Sequence, residues 1–120
     1  MASIMDDKAV LFALEMIKLS KSLKKTHDFE IANQIIRSGT SIGANIREAQ
    51  AAQSKKDFVH KLSISLKEAR ETRFWLELLV KSEMMDQPEY KVLDGKALEL
   101  KRMLTSSIKT TKENYNLKQY

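Results

Sequence analysis

The chain has 120 residues with only 3 Gly, 1 Pro and no Cys, which favours one helical domain over residues 1–120 and excludes disulfide bonds and thiolate metal sites. Its net charge of +5 permits contact with nucleic acid but does not require it. No apolar run approaches the roughly 18 residues of a membrane span, and the N-terminus is acidic where a secretory signal is basic, so we expect a cytoplasmic protein without membrane contact.

Three of the predicted helices begin with a capping box, in which a short polar side chain caps the amide three positions later. The pairs are Ser3 with Asp6, Ser54 with Asp57, and Asp86 with Glu89. The predicted helices cover about residues 6–25, 28–50, 55–81 and 87–112. Because the connectors are short, the simplest arrangement is an all-α, antiparallel, up-down-up-down four-helix bundle.

The first predicted helix carries apolar residues on more than one side. Its apolar stripe consists of Val10, Leu14, Ile17 and Leu23, and Leu11 and Phe12 widen it. Such a pattern predicts a helix that is covered on more than one side.

The second predicted helix has an isoleucine face that contains two glycines. The isoleucines, at helical spacing, are Ile31, Ile35, Ile42 and Ile46. Gly39 and Gly43 lie inside this pattern, and each costs roughly 1 kcal/mol relative to Ala in a helix interior. This cost indicates either close approach of another helix or a break in this one.

A polar line runs beside the isoleucine face. It consists of Gln34, Arg37 or Ser38, Ser41, Asn45 and Glu48. The line is either a solvated face or a partly buried hydrogen-bonded seam with the third helix. In the second case, three residues of the second helix face two glutamates of the third. These residues are Arg37, Asn45 and Glu48 on one side, and Glu68 and Glu71 on the other.

The third predicted helix is long and apolar on two faces. The face assigned to the core includes Phe58, Leu62, Leu66 and Ala69. The other face carries Leu79, with Phe74 beside it, and the three residues Ile64, Trp75 and Leu78. Because a monomer of this size has little to cover a second face with, we expect these three residues to contact another subunit of a homo-oligomer.

The fourth predicted helix follows one apolar stripe that contains Asp94 and Gly95. This dipeptide indicates either a kink or the end of a short first turn. Beyond Lys112 the chain is basic and polar, and we expect residues 112–120 to be frayed.

The sequence carries no pattern typical of catalysis or metal binding. Neither His27 nor His60 has a second histidine at metal-site spacing, and a single carboxylate such as Asp57, three residues before His60, is a weak signal. No phosphate-binding glycine loop, nucleophile elbow or dinucleotide fingerprint is present. Glu68 and Glu71 have the spacing of salt-bridge partners rather than of an acid–base pair. We therefore expect no enzyme activity, no metal and no cofactor.

Basic residues cluster around the joint between the second and third helices. Those assigned to a nucleic-acid-binding patch are Arg47, Lys55, Lys56 and Lys61. They form either an ordinary solvated surface or a polyanion site, where Lys and Arg release counterions from phosphates. Phe58 is the only aromatic residue of the cluster and belongs to the predicted core, which gives little support for stacking on single-stranded bases.

One stretch of the chain closely resembles a known bacterial family. Residues 37–46 read RSGTSIGANI, residues 54–58 read SKKDF, and residues 65–71 read SLKEARE. These segments follow the pattern of the family called four-helix bundle proteins, or 23S rRNA intervening-sequence proteins, over about residues 29–82. The chain departs from many relatives at Ala49, where they have Gly, and this departure would let the second helix run further.

The resemblance implies an antiparallel four-helix bundle that assembles into a homopentameric ring. Some genes of the family lie inside intervening sequences of the large ribosomal RNA gene, and the family is similar to a basic, pentameric, nucleic-acid-binding accessory protein of diversity-generating retroelements. The leading expectation is a non-enzymatic, homo-oligomeric module that binds RNA or a ribonucleoprotein. The alternative is a structural or protein-interaction scaffold without a nucleic-acid role.

Overall fold

The described residues form four α-helices. The computed structural model describes residues 3–117, and its helices are α1 (Ile4–Lys25), α2 (Phe29–Gln50), α3 (Lys55–Lys81) and α4 (Gln87–Asn114). No strand occurs among the described residues. The predicted all-α four-helix fold is therefore confirmed, and the observed helix ends lie within two residues of the predicted ones.

Neighbouring helices run antiparallel. Contacts between α1 and α2 join the end of one helix to the start of the other: Ser20 Oγ donates to the Ala32 carbonyl at 3.0 Å, and Arg47 pairs with Asp6 at 3.1 Å. Helices α1 and α3 each pack against both α2 and α4. Helices α1 and α3 therefore occupy diagonal corners of a bundle that measures 48 × 22 × 21 Å.

The predicted capping side chains are in place at the starts of α1, α3 and α4. The side-chain oxygens of Ser3, Ser54 and Asp86 accept hydrogen bonds from amides three residues later, at 3.0, 3.0 and 2.8 Å. Each bond satisfies an amide that a helix start leaves without an intrahelical partner. Local spacing therefore fixes where these three helices begin.

Three helices are followed, two residues after their last residue, by a left-handed residue that is not glycine. These residues are His27, Glu83 and Asn116, with φ of 65°, 63° and 53°. Beyond Asn116, the Leu117 N–H donates to the Lys112 carbonyl at 2.9 Å, and Leu117 packs against the core. The predicted fraying is wrong as far as Leu117, because this capping motif closes the helix. Residues 118–120 lie outside the described residues.

The core-facing side of α1 differs from the apolar stripe in the sequence. Its buried apolar residues are Ala9, Phe12, Met16, Leu19 and Leu23. Val10, Leu11 and Leu14 point away from the core, and Leu11 keeps 64% of its surface exposed. The helix is apolar on two sides, and the bundle covers only one of them.

The glycines of α2 mark close helix packing rather than a break, since the helix is continuous through both. A Cβ built on Gly39 would lie 2.8 Å from Met16 Cβ, so Gly39 allows α1 to approach. A Cβ on Gly43 would lie 3.4 Å from Ala9 Cβ, at the edge of ordinary contact. Helix α4 likewise continues through Gly95 instead of ending a short first turn there.

Candidate nucleic-acid interface and assembly surfaces

Arg37 joins α2 to α3 through two glutamates. Its guanidinium donates from Nη1 to Glu68 at 3.2 Å and from Nη2 to Glu71. Glu71 also accepts a hydrogen bond from Trp75 Nε1 at 3.0 Å. Both glutamates are largely shielded from solvent, whereas Arg37 is about half exposed. The cluster therefore has the geometry of a partly buried polar seam.

Two residues assigned to this seam lie elsewhere. Asn45 Nδ2 donates at 2.8 Å to a carbonyl of its own helix, and Glu48 is exposed. At a rise of about 1.5 Å per residue, they lie about 12 and 16 Å along α2 from Arg37. Because α2 and α3 are antiparallel, this offset places both opposite the first turns of α3, away from the two glutamates. The predicted seam is therefore limited to the contact of Arg37 with Glu68 and Glu71.

Arg47 is engaged in an ion pair within the bundle. Its Nε and Nη2 donate to the two carboxylate oxygens of Asp6 at 3.1 and 3.3 Å, and Asp6 is only 4% exposed. The hydrogen bonds that Arg47 donates to Asp6, followed by the negative charge of that carboxylate, raise the pKa of the Arg47 guanidinium above its ordinary value. Because Arg47 compensates a buried carboxylate, its charge is less available to a polyanion than the sequence predicts.

The three lysines of the predicted patch lie on the first two turns of α3. Lys55 and Lys56 are exposed, and Lys61 is half-buried. Lys55 Nζ lies 4.9 Å from the ring centroid of Tyr115. Sequence reasoning does not place Tyr115 in the patch, because this residue is far from Lys55 along the chain and only the antiparallel return of α4 brings the two together.

The predicted assembly residues of α3 differ in exposure. Ile64 and Trp75 are half-buried, and Leu78 is exposed. Phe74 keeps 52% of its surface exposed and contacts Trp75 edge to face, with ring centroids 5.2 Å apart. Trp75 itself lines a depression with Ile31 of α2. The outward apolar surface, here named the α3 face, therefore consists of Phe74 and Leu78.

A second exposed apolar surface, here named the α1 face, was not predicted as an interface. It consists of Ile4, Val10, Leu11 and Leu14. Because α1 and α3 occupy diagonal corners and each face points away from the core, the two faces lie on opposite sides of the molecule. Exposed apolar patches of this kind often mark contact surfaces.

The described part of the chain offers little for metal or cofactor binding. Among residues 3–117, no group of three or more His, Asp or Glu side chains is placed to hold a metal ion. Every buried side-chain nitrogen or oxygen in that range has a hydrogen-bond partner. No helix within it is long and apolar enough to cross a bilayer.

Comparisons with known proteins agree with this fold. The chain matches the family described as 23S rRNA-intervening sequence protein over residues 3–106. It is also similar to a crystal structure of a protein of unknown function from the S23 ribosomal protein family of Bacteroides thetaiotaomicron, with 46% identity and a TM-score of 0.87. That similarity covers 88% of this chain and 99% of the other. No match is found among curated proteins.

Proposed function

Because the chain belongs to the 23S rRNA-intervening sequence protein family, we propose that it is a non-enzymatic, homo-oligomeric module of the cytoplasm that binds RNA or a ribonucleoprotein. The observation that carries the RNA proposal is the exposed pair Lys55 and Lys56 at the first turn of α3, in a chain of net charge +5. Lysines bind phosphates without reading sequence, and the released counterions favour binding.

Self-association is supported by the two apolar faces on opposite sides of the molecule. Pairing like faces would leave the other face of each subunit uncovered. Joining the α1 face of one copy to the α3 face of the next covers both, and such head-to-tail contacts form a ring when the rotation closes. The proposed number of five subunits comes from the family resemblance. A ring would combine the positive charges of its subunits into one field.

Titration of a labelled structured RNA at several salt concentrations tests the RNA proposal. We expect the logarithm of the affinity to fall linearly with the logarithm of the salt concentration. The double variant Lys55→Glu, Lys56→Glu should bind more weakly. Its slope should be reduced by nearly one unit for each phosphate that the protein no longer neutralises.

The matched control is Lys91→Glu, Lys96→Glu, which makes the same change of charge on exposed residues of α4. This control should retain most of the affinity. Parent-like binding by the Lys55, Lys56 variant, or an equal loss of affinity in both double variants, would contradict a site at the start of α3.

A structural or protein-interaction scaffold without a nucleic-acid role is the second candidate. It is favoured by the ion pairs of Arg37 and Arg47, which leave fewer basic groups for phosphates. The same titration separates the candidates, because a scaffold would show no saturable RNA binding even at low salt.

A further inference from the structure

Lys55 lies beside two aromatic rings at one end of the bundle. Its Nζ is 4.9 Å from the ring centroid of Tyr115 and 5.8 Å from that of Phe58. Both distances fall within the range of a cation–π contact. The end of α4 thereby meets the start of α3, and one cation and two rings form a cluster, here named the Lys55 cluster.

Tyr115 is held in a defined position by the capping motif after α4. Asn116 adopts a left-handed φ of 53°, and the Leu117 N–H donates to the Lys112 carbonyl at 2.9 Å. Leu117 then packs against the core. Tyr115 nevertheless keeps 54% of its surface exposed, so its ring is presented to solvent beside Lys55.

A depression of about 420 Å³ adjoins the cluster. Lys55 and Phe58 line it together with Gln50, Gln53 and Ser54. Its volume is in the range of small-molecule sites. The side-chain amides of the two glutamines both donate and accept hydrogen bonds, as the edges of nucleobases do. None of the residues that line the depression carries a carboxylate that would repel a phosphate.

We propose that the Lys55 cluster binds an unpaired base of single-stranded RNA, with the base stacked on Tyr115 and the flanking phosphates beside Lys55 and Lys56. The proposal rests on the proposed RNA binding and adds the class of RNA that is preferred. Bases inside a duplex are stacked on one another, whereas unpaired bases are free to stack on aromatic side chains. One ammonium covers only one face of a ring, so the exposed surface of Tyr115 leaves area for a base.

The test uses the full-length protein and two labelled probes with equal numbers of phosphates, an unstructured uridine oligomer and an RNA duplex. Tyr115→Leu should weaken binding of the single strand by roughly 5- to 150-fold, the effect of removing one stacked base. Binding of the duplex should change by less than about twofold, because phosphate contacts remain. Tyr115→Phe and Tyr115→Trp keep a ring and should bind the single strand at least as well as the parent.

Phe29→Leu is the matched control, since it removes an exposed ring at the start of α2, at the other end of the bundle, and should leave both affinities unchanged. Parent-like binding of the single strand by Tyr115→Leu would overturn the stacking site and leave the proposed RNA function intact. An equal loss of affinity for both probes would also overturn it, because Tyr115 would then act only by placing Lys55. If the parent binds neither probe, the proposed RNA function fails together with the site.

Tyr115→Trp answers the question even if Tyr115→Leu does not fold. Single-strand binding at least as tight as that of the parent supports stacking, and weaker binding contradicts it.

Discussion

Gly39 and Gly95 both lie inside helices, but they have different surroundings. A Cβ on Gly39 would come within 2.8 Å of Met16 Cβ, whereas a Cβ on exposed Gly95 would meet no atom within 4 Å. We expect Gly39→Ala to lower the free energy of unfolding by about 1–3 kcal/mol through overpacking. Gly95→Ala should raise it by about 0.5–1 kcal/mol, because Ala is the better helix former.

Urea unfolding followed by circular dichroism measures both changes, at one fixed protein concentration because association shifts apparent stability. If Gly39→Ala matched the parent, Met16 would move aside without cost and the close-packing interpretation would be wrong. A loss of stability in Gly95→Ala would instead indicate that another molecule lies close to α4.

Arg37 places one positive charge beside two carboxylates, those of Glu68 and Glu71, which lie one turn apart on α3. We expect Arg37→Ala to lower the free energy of unfolding by about 1–3 kcal/mol, because it leaves Glu68 and Glu71 without their cation. The control is Lys81→Ala, which removes an exposed i, i+4 pair with Glu77 and should leave the melting temperature almost unchanged. The melting temperature of each variant, compared with that of the parent, measures these effects. If Arg37→Ala and Glu68→Ala each left the melting temperature unchanged, the cluster would be a solvated face.

The four helices could be predicted from local signals, whereas the direction in which α1 faces could not. Capping side chains such as Ser3 and Ser54 act on amides three residues away, so their spacing alone locates helix starts. Helix α1 itself carries apolar residues on two sides, however, and periodicity cannot tell which side the bundle covers. Packing selects the side of Phe12 and Met16, and leaves Leu11 and Leu14 exposed.

Glu83, two residues after the end of α3, adopts a left-handed φ of 63° without being glycine. For a residue with a side chain, this conformation costs about 1–2 kcal/mol. Glu83→Gly removes that cost but adds freedom to the unfolded chain, so we expect a net gain of about 0.5–1 kcal/mol in chemical denaturation. Lys67→Gly, in the exposed interior of the same helix, should lose about 1 kcal/mol. If both variants were equally destabilised, the capping geometry at Glu83 would be wrong.

Tertiary arrangement decides how much of the candidate site the sequence can reveal. The contact of Arg37 with Glu68 and Glu71 was predictable because both helices carry polar residues at helical spacing. The register between the helices was not, which is why the sequence pattern also places Asn45 in that seam. The contact of Lys55 with Tyr115 joins residues at the start of one helix and the end of the next, and no local pattern links them.

The opposite placement of the α1 face and the α3 face makes head-to-tail assembly testable by mixing variants. The parent should have a mass of about five times the 13.8 kDa of one chain by light scattering. Leu11→Glu with Leu14→Glu removes the α1 face, and Phe74→Glu removes the α3 face, so each variant alone should be monomeric. Val92→Glu, on an exposed apolar residue of α4, is the control that should assemble normally.

Mixing the two interface variants restores one intact contact, between the α3 face of the first and the α1 face of the second. We therefore expect a 1:1 heterodimer that cannot grow, because the remaining face of each subunit carries a glutamate. An interface between like faces predicts a different result: one variant would still form its own dimer, and the mixture would form no new species. A parent mass near that of one chain would contradict the ring and, with it, the combined positive field proposed to attract RNA.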